Sequence, residues 1–186
     1  MNGDEEDMHR FPHRWSRLTV VAVGAALLSL SATACSSSSP EREYAVPDDL
    51  CGAKVSGNLL EPLLPTGKKL TAQPTSAVDV DRCRLQIDGE TAFSGSVEKH
   101  SSGISAQDVA KSAMGVDPSD SVADSGRFIY AKTGAVGRVK CPQSAAAEHS
   151  LWVTARTTHP AEAKDMLAFI RTYAEGVVGT DACDKL

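Results

Sequence analysis

Four cysteines, Cys51, Cys83, Cys141 and Cys183, stand at separations of 32, 58 and 42 residues, and the compartment in which the chain folds decides what they become. In an oxidising compartment an even set closes disulfides, whereas in a reducing one the thiols stay free or hold metal. The spacing argues against metal, because no C-x-x-C pair is present to build a zinc knuckle. The compartment is indicated at the amino end. Leu18 to Leu30 is a run of 13 residues without charge, preceded by Arg10, Arg14 and Arg17 and followed by Ser31-Ala32-Thr33-Ala34-Cys35. A basic n-region, a short apolar h-region and small residues behind it are the parts of an export signal. The run falls short of the roughly 20 apolar residues that a spanning helix needs. The acidic stretch Asp4 to Asp7 fits that role badly, and Met8 offers a cleaner start.

Ala32-Thr33-Ala34-Cys35 resembles the lipobox of bacterial lipoproteins, with Ala32 where that family usually has Leu. The resemblance implies a diacylglyceryl group on the Cys35 thiol, cleavage before it, and Cys35 as the first mature residue. Ser36 to Ser39 and Pro40 then serve as a flexible tether between anchor and domain. An ordinary A-x-A cleavage after Ala34 also fits the residues, but it leaves an unpaired cysteine at the mature amino end of an exported chain. With Cys35 set apart, four cysteines remain, and they allow three pairings. Cys51 with Cys83 and Cys141 with Cys183 are the preferred pairs, since each closes a moderate loop within successive halves of the domain. In the chain-entropy account each is worth roughly 4 kcal/mol.

The chain of 186 residues carries 19 Lys and Arg against 24 Asp and Glu, so it lacks the basic excess that a phosphate backbone requires, and nucleic acid is not expected as a partner. The organisation expected is a signal over 1–34, a lipidated cysteine and tether over 35–46, and one extracytoplasmic domain over 47–186. Pro47-Asp48-Asp49 predicts a short helix reaching about Ser56, with Cys51 in its first turn. Leu59, Leu60, Leu63 and Leu64, interrupted by Pro62 and Pro65, predict a turn packed on the core. Cys83, Leu85 and Ile87 alternate with polar residues and predict a strand, and Asp88-Gly89 predicts a hairpin turn returning through Phe93, Gly95 and Val97. Ser105 and Asp108 form a capping box, with Ile104 and Val109 as a staple, for a helix whose buried stripe is Val109, Ala110, Ala113 and Met114 and whose stop is Gly115. Three more strands are expected at 127–132, 135–141 and 150–157, followed by a helix from Pro160 to about Glu175.

These elements predict an α+β fold, an antiparallel sheet of about five strands with helices packed on one face and two disulfides. Anchor, tether, disulfides and small α+β domain together look like surface lipoproteins of actinobacteria such as streptomycetes and mycobacteria. Some of these have a domain similar to the two-disulfide extracytoplasmic sensor domains of mycobacterial membrane kinases. Over residues 35–186 the likeness is one of element arrangement, and it implies a surface or binding role.

No short motif advertises chemistry. His100, His149 and His159 match no H-E-x-x-H spacing, no serine has a G-x-S-x-G context, and Gly134-Ala135-Val136-Gly137 lacks the G-x-G and the following helix of a phosphate cradle. Asp48-Asp49 and the pair Asp79 and Asp81 read as a cap and a solvated strand start. Trp152 falls on the strand face opposite Leu151, Val153 and Ala155, together with Thr154 and Arg156. It either packs under a helix or joins Arg156 in a binding patch. The reading from sequence is a membrane-anchored, noncatalytic binding or accessory protein without cofactor or metal, held to the membrane through lipid on Cys35 and meeting a cell-surface protein or small-molecule ligand. A small extracytoplasmic hydrolase is the alternative.

Overall fold

The computed structural model describes residues 41–142 and 148–186. The segment read from sequence as an export signal and Cys35 lie outside the described residues. Residues 41–46, read from sequence as the last part of the tether, are docked instead. Arg42 bridges to Gly67 and donates to the carbonyls of Glu61 and Leu64 at 3.0 and 2.9 Å, while the Tyr44 hydroxyl donates to the Pro65 carbonyl. A guanidinium and a phenol that find carbonyl partners tie this stretch to the domain.

The helix expected at Asp48 is a hairpin, β1 (Asp49–Leu50) and β2 (Ala53–Lys54). Cys51 and Gly52 form its two-residue loop with φ of 51° and 101°, and two left-handed residues in succession make a hairpin turn where a helix would need φ near −60°. Asp48 does cap, but it caps the next segment. Its carboxylate accepts from the Gly57 amide at 3.0 Å, at the start of α1 (Gly57–Leu60). A 3₁₀ turn at Glu61–Leu63 follows, and Leu60 and Leu63 are fully buried, as their apolar cluster predicts.

The main sheet has seven strands, all antiparallel, in the order β3-β4-β5-β9-β8-β7-β6. They are β3 (Leu70–Ala77), β4 (Val80–Ile87), β5 (Glu90–Ser101), β6 (Ser121–Ala123), β7 (Phe128–Tyr130), β8 (Gly134–Arg138) and β9 (His149–Thr157). With β1 and β2 the described residues hold nine strands where the sequence predicts about five. The two unforeseen members of the main sheet, β3 and β6, are its two edges. They are mostly exposed, and without a buried face they have no reason to alternate. Pro74 in β3 fits an edge, where a missing N–H costs no ladder bond.

The helices occupy both faces rather than one. On one face α3 (Ala163–Val178) lays Met166, Phe169, Ile170, Tyr173, Ala174 and Val177 across the sheet. Phe169 meets Phe93 edge-on at 5.1 Å and stacks on Tyr173 at 5.7 Å. Gly176 lets α3 approach β2: a Cβ there would stand 1.9 Å from the Lys54 carbonyl oxygen. The helix starts three residues later than Pro160 predicts, because the Ala161 amide is held by the Lys132 carbonyl at 2.9 Å and the chain remains tied to the β7–β8 connection.

On the opposite face α2 (Ala106–Ala110) covers only one end of the sheet, packing Ala106, Val109 and Ala110 on Ile129, Val136 and Trp152. Its capping box is formed as the sequence predicts, with the Asp108 amide donating to Ser105 Oγ at 3.2 Å and the Ser105 amide donating to the Asp108 carboxylate at 3.3 Å. Ile104 packs against the same cluster as Val109. The helix ends at Ala110, and Met114, expected in the buried stripe, is 62% exposed. Both preferred disulfides are present, Cys51–Cys83 and Cys141–Cys183, and the second ties the 3₁₀ turn at Cys183–Lys185 to the segment that follows β8.

Candidate functional site

The period-two geometry of β4, β5 and β9 sorts their side chains, save at one bulge in β5 where Ala92 and Phe93 are both buried. Cys83, Leu85, Phe93, Val153 and Ala155 go to the α3 face, and Arg82, Arg84, Ser94, Ser96, Thr154 and Arg156 go to the other. Because α2 stops over β9, that second set remains open over β4 and β5. The ladders align them in two rows. Arg84 pairs with Ser94 and Ser94 with Arg156, while Arg82 pairs with Ser96 and Ser96 with Thr154. With strands about 4.8 Å apart, the Arg84 and Arg156 backbones stand about 10 Å apart with Ser94 between them.

The result is a cleft of about 140 Å³, floored by the sheet and bounded by Ser112, Ala113 and Met114 beyond α2. Three guanidinium groups line it, and among the described residues none of Arg82, Arg84 and Arg156 pairs with a carboxylate. Arg156 donates only to the Met114 thioether, at 3.4 Å, a weak acceptor that leaves its fork largely unused.

At one end of the cleft lies a polar network. Ser96 Oγ donates to Glu98 Oε1 at 2.7 Å and stands 2.5 Å from Thr154 Oγ1, which reaches the same carboxylate oxygen at 3.4 Å. His100 Nε2 is 3.2 Å from Glu98 Oε2. The order is hydroxyl, carboxylate, imidazole. In an acyl-transfer triad the imidazole stands between the other two, taking the proton from the hydroxyl. Here His100 has no hydrogen bond to a hydroxyl, and Ser96 is 2% exposed, so its oxygen is closed to a substrate.

Trp152 lies on the same face as Arg156 but is 1% exposed, with its indole N–H donating to Ser150 Oγ at 3.0 Å. Its role is to carry α2. Arg156 is exposed and belongs to the cleft. His149 and His159 are exposed at the two ends of β9; His149 stands opposite Ser101, next to His100 in the β5–β9 ladder but on the other face of the sheet, and no group of three His, Cys, Asp or Glu suited to a metal occurs among the described residues. The four disulfide cysteines are engaged with each other.

A second concavity, about 390 Å³, opens on the α3 side between the β1–β2 hairpin, β3, β4 and the end of α3. Cys51–Cys83 forms part of its wall, and Tyr173 and Val177 its apolar floor. Burial, reinforced by Asp81 and Glu98, raises the Tyr173 phenol above its ordinary range, so it stays protonated and can only be a neutral partner.

Of the three arginines that line the cleft, only Arg156 is singled out from the sequence as a candidate, in a patch with Trp152. The signal was the same outward alternation, Arg82 and Arg84 in β4 and Ser94 and Ser96 in β5, but their meeting with Arg156 depends on the non-local β5–β9 ladder. Among the described residues no helix is long and apolar enough to cross a membrane. In comparisons with known proteins, the chain matches no protein-family model, no curated protein and no solved structure.

Proposed function

We propose that this protein is a lipoprotein held on the extracytoplasmic face of the cell membrane through lipid on Cys35, and that its folded part is a noncatalytic binding or accessory module of the kind carried by actinobacterial surface lipoproteins. The observation that carries the binding reading is the half-covered sheet face, where three arginines line one cleft and, among the described residues, none pairs with a carboxylate. Like charges held together repel, and a fold gains no stability from collecting them. Such an arrangement is accounted for by what it meets from outside. The anchor reading is supported by the basic leader, the apolar run and the Ala32-Thr33-Ala34-Cys35 site, and two closed disulfides agree with folding in an oxidising compartment.

The test has two arms. Intact mass of the membrane-extracted protein is expected to give a mature chain beginning at Cys35 with a diacylglyceryl increment, and a mature chain without lipid would contradict the anchor. The purified protein is expected to show no turnover above a mock preparation on ester, peptide and glycan substrates. The hydrolase reading draws on one specific observation, the proximity of Ser96, Glu98 and His100. Turnover abolished by His100→Ala would establish it and remove the noncatalytic reading.

A further inference from the structure

The geometry points to the Arg82–Arg84–Arg156 cleft as a binding site for a phosphate group. This deepens the binding reading above and rests on it. A guanidinium offers five N–H donors in a planar fork that matches the oxygens of phosphate, and it stays charged at any physiological pH. Three such forks, with the hydroxyls of Thr91 and Ser94 beside them, supply more donors than a single carboxylate has lone pairs to accept. A phosphate, with more acceptor oxygens and up to two charges, uses them.

Glu98 places the ligand within the cleft. Its carboxylate lies at the end occupied by Ser96, Thr154 and His100, where it accepts their hydrogen bonds and repels an anion. The phosphate is therefore directed to the opposite row, between Arg84 and Arg156 above Ser94, with Arg82 alongside. A volume of about 140 Å³ is below the several hundred cubic ångströms that enclose a whole small-molecule ligand, so the cleft takes the phosphate and leaves the remainder of the ligand over the open sheet at β4 and β3. Two sources share this chemistry: a phospholipid headgroup of the membrane beside which an anchored domain would stand, and a soluble phosphate ester.

The experiment uses the full chain in neutral detergent micelles, in a phosphate-free buffer of fixed ionic strength, followed by amide and arginine side-chain NMR shifts. Inorganic phosphate is expected to give saturable shifts at Ser94, Arg84 and Arg156, and acetate at equal concentration none. Arg84→Gln and Arg156→Gln are each expected to weaken phosphate at least tenfold, whereas Lys164→Gln, which removes an equal charge on α3, leaves it unchanged. The amide spectrum of each variant reports directly that it is folded. Short-chain phosphatidylglycerol titrated against short-chain phosphatidylcholine separates the sources. Phosphatidylglycerol binding at least tenfold tighter than inorganic phosphate, with phosphatidylcholine inert, assigns the headgroup, and equal affinity for phosphatidylglycerol and inorganic phosphate assigns a soluble ester. No saturable shift with any phosphate probe, an equal response to acetate, or equal loss in Lys164→Gln would overturn the proposal. Those outcomes leave the anchor and the absence of turnover untouched, since intact mass and the substrate panel judge these separately.

Discussion

The two faces of the seven-stranded sheet are made by the same strands and serve different ends. On the α3 face, alternate residues from β4 to β7 are apolar, and a 16-residue helix with the β1–β2 hairpin covers them continuously. On the other face a five-residue helix covers Ile129, Val136 and Trp152 and stops, and the strands beyond it turn to arginine, serine and threonine. One face supplies the stability of the domain. The other is free to carry charge, because little of the fold depends on it.

If that division is right, substitutions rank by face. Phe169→Ala removes a fully buried ring that touches both Phe93 and Tyr173, and it is expected to cost about 3–5 kcal/mol in reversible denaturant unfolding. A loss below about 1 kcal/mol would mean that the α3 face is not where stability resides. Replacing Cys141 and Cys183 together by serine frees the carboxyl-terminal turn from the segment after β8 and is expected to cost about 2–4 kcal/mol, measured on the same unfolding curve. On the α2 face Ser105→Ala removes only a cap, and about 1 kcal/mol is expected.

Acid sharpens the contrast on that face. Hydrogen bonds from Lys111 and then from Ser105 hold the exposed Asp108 carboxyl down at about 2, below its ordinary value of 3.8. A carboxyl whose pKa is lowered by folding contributes stability above its unfolded pKa, and that contribution is lost as pH falls toward 2. Carboxyl NMR is therefore expected to show Asp108 titrating near 2, with the α2 amides shifting together with it and the α3 amides unmoved by this group. Titration of Asp108 near 4 would show that the capping box does not hold in solution.

The same division explains what could be read from the chain alone. Elements with a buried face were legible, because burial imposes a period. Cys83, Leu85 and Ile87 give β4, and the α3 stripe appears at helical spacing. The edge strands β3 and β6 were not legible, since mostly exposed edges bear no such constraint. At Asp48-Asp49 a capping signal predicts a helix, whereas Cys51 and Gly52 both take left-handed backbone and close a hairpin instead. The helices were expected on one face because a five-residue amphipathic segment does not state which side of a sheet it will meet. The cleft was legible only in part: outward residues could be assigned strand by strand, but their convergence required the pairing of β5 with β9, which no local pattern encodes.

The central claim is that the arginine face is built for binding and contributes little to stability, and one measurement tests it directly. The Arg82→Gln, Arg84→Gln, Arg156→Gln triple variant of the full chain is compared with the wild type by thermal unfolding, with and without phosphate. A ligand that binds only the folded state raises its midpoint, so the wild-type midpoint is expected to rise with phosphate concentration. The variant is expected to match or exceed the wild type without phosphate, since like charges have been removed, and to show no rise when phosphate is added. A variant that unfolds well below the wild type in the absence of phosphate, or that keeps the wild-type response to it, would contradict the account.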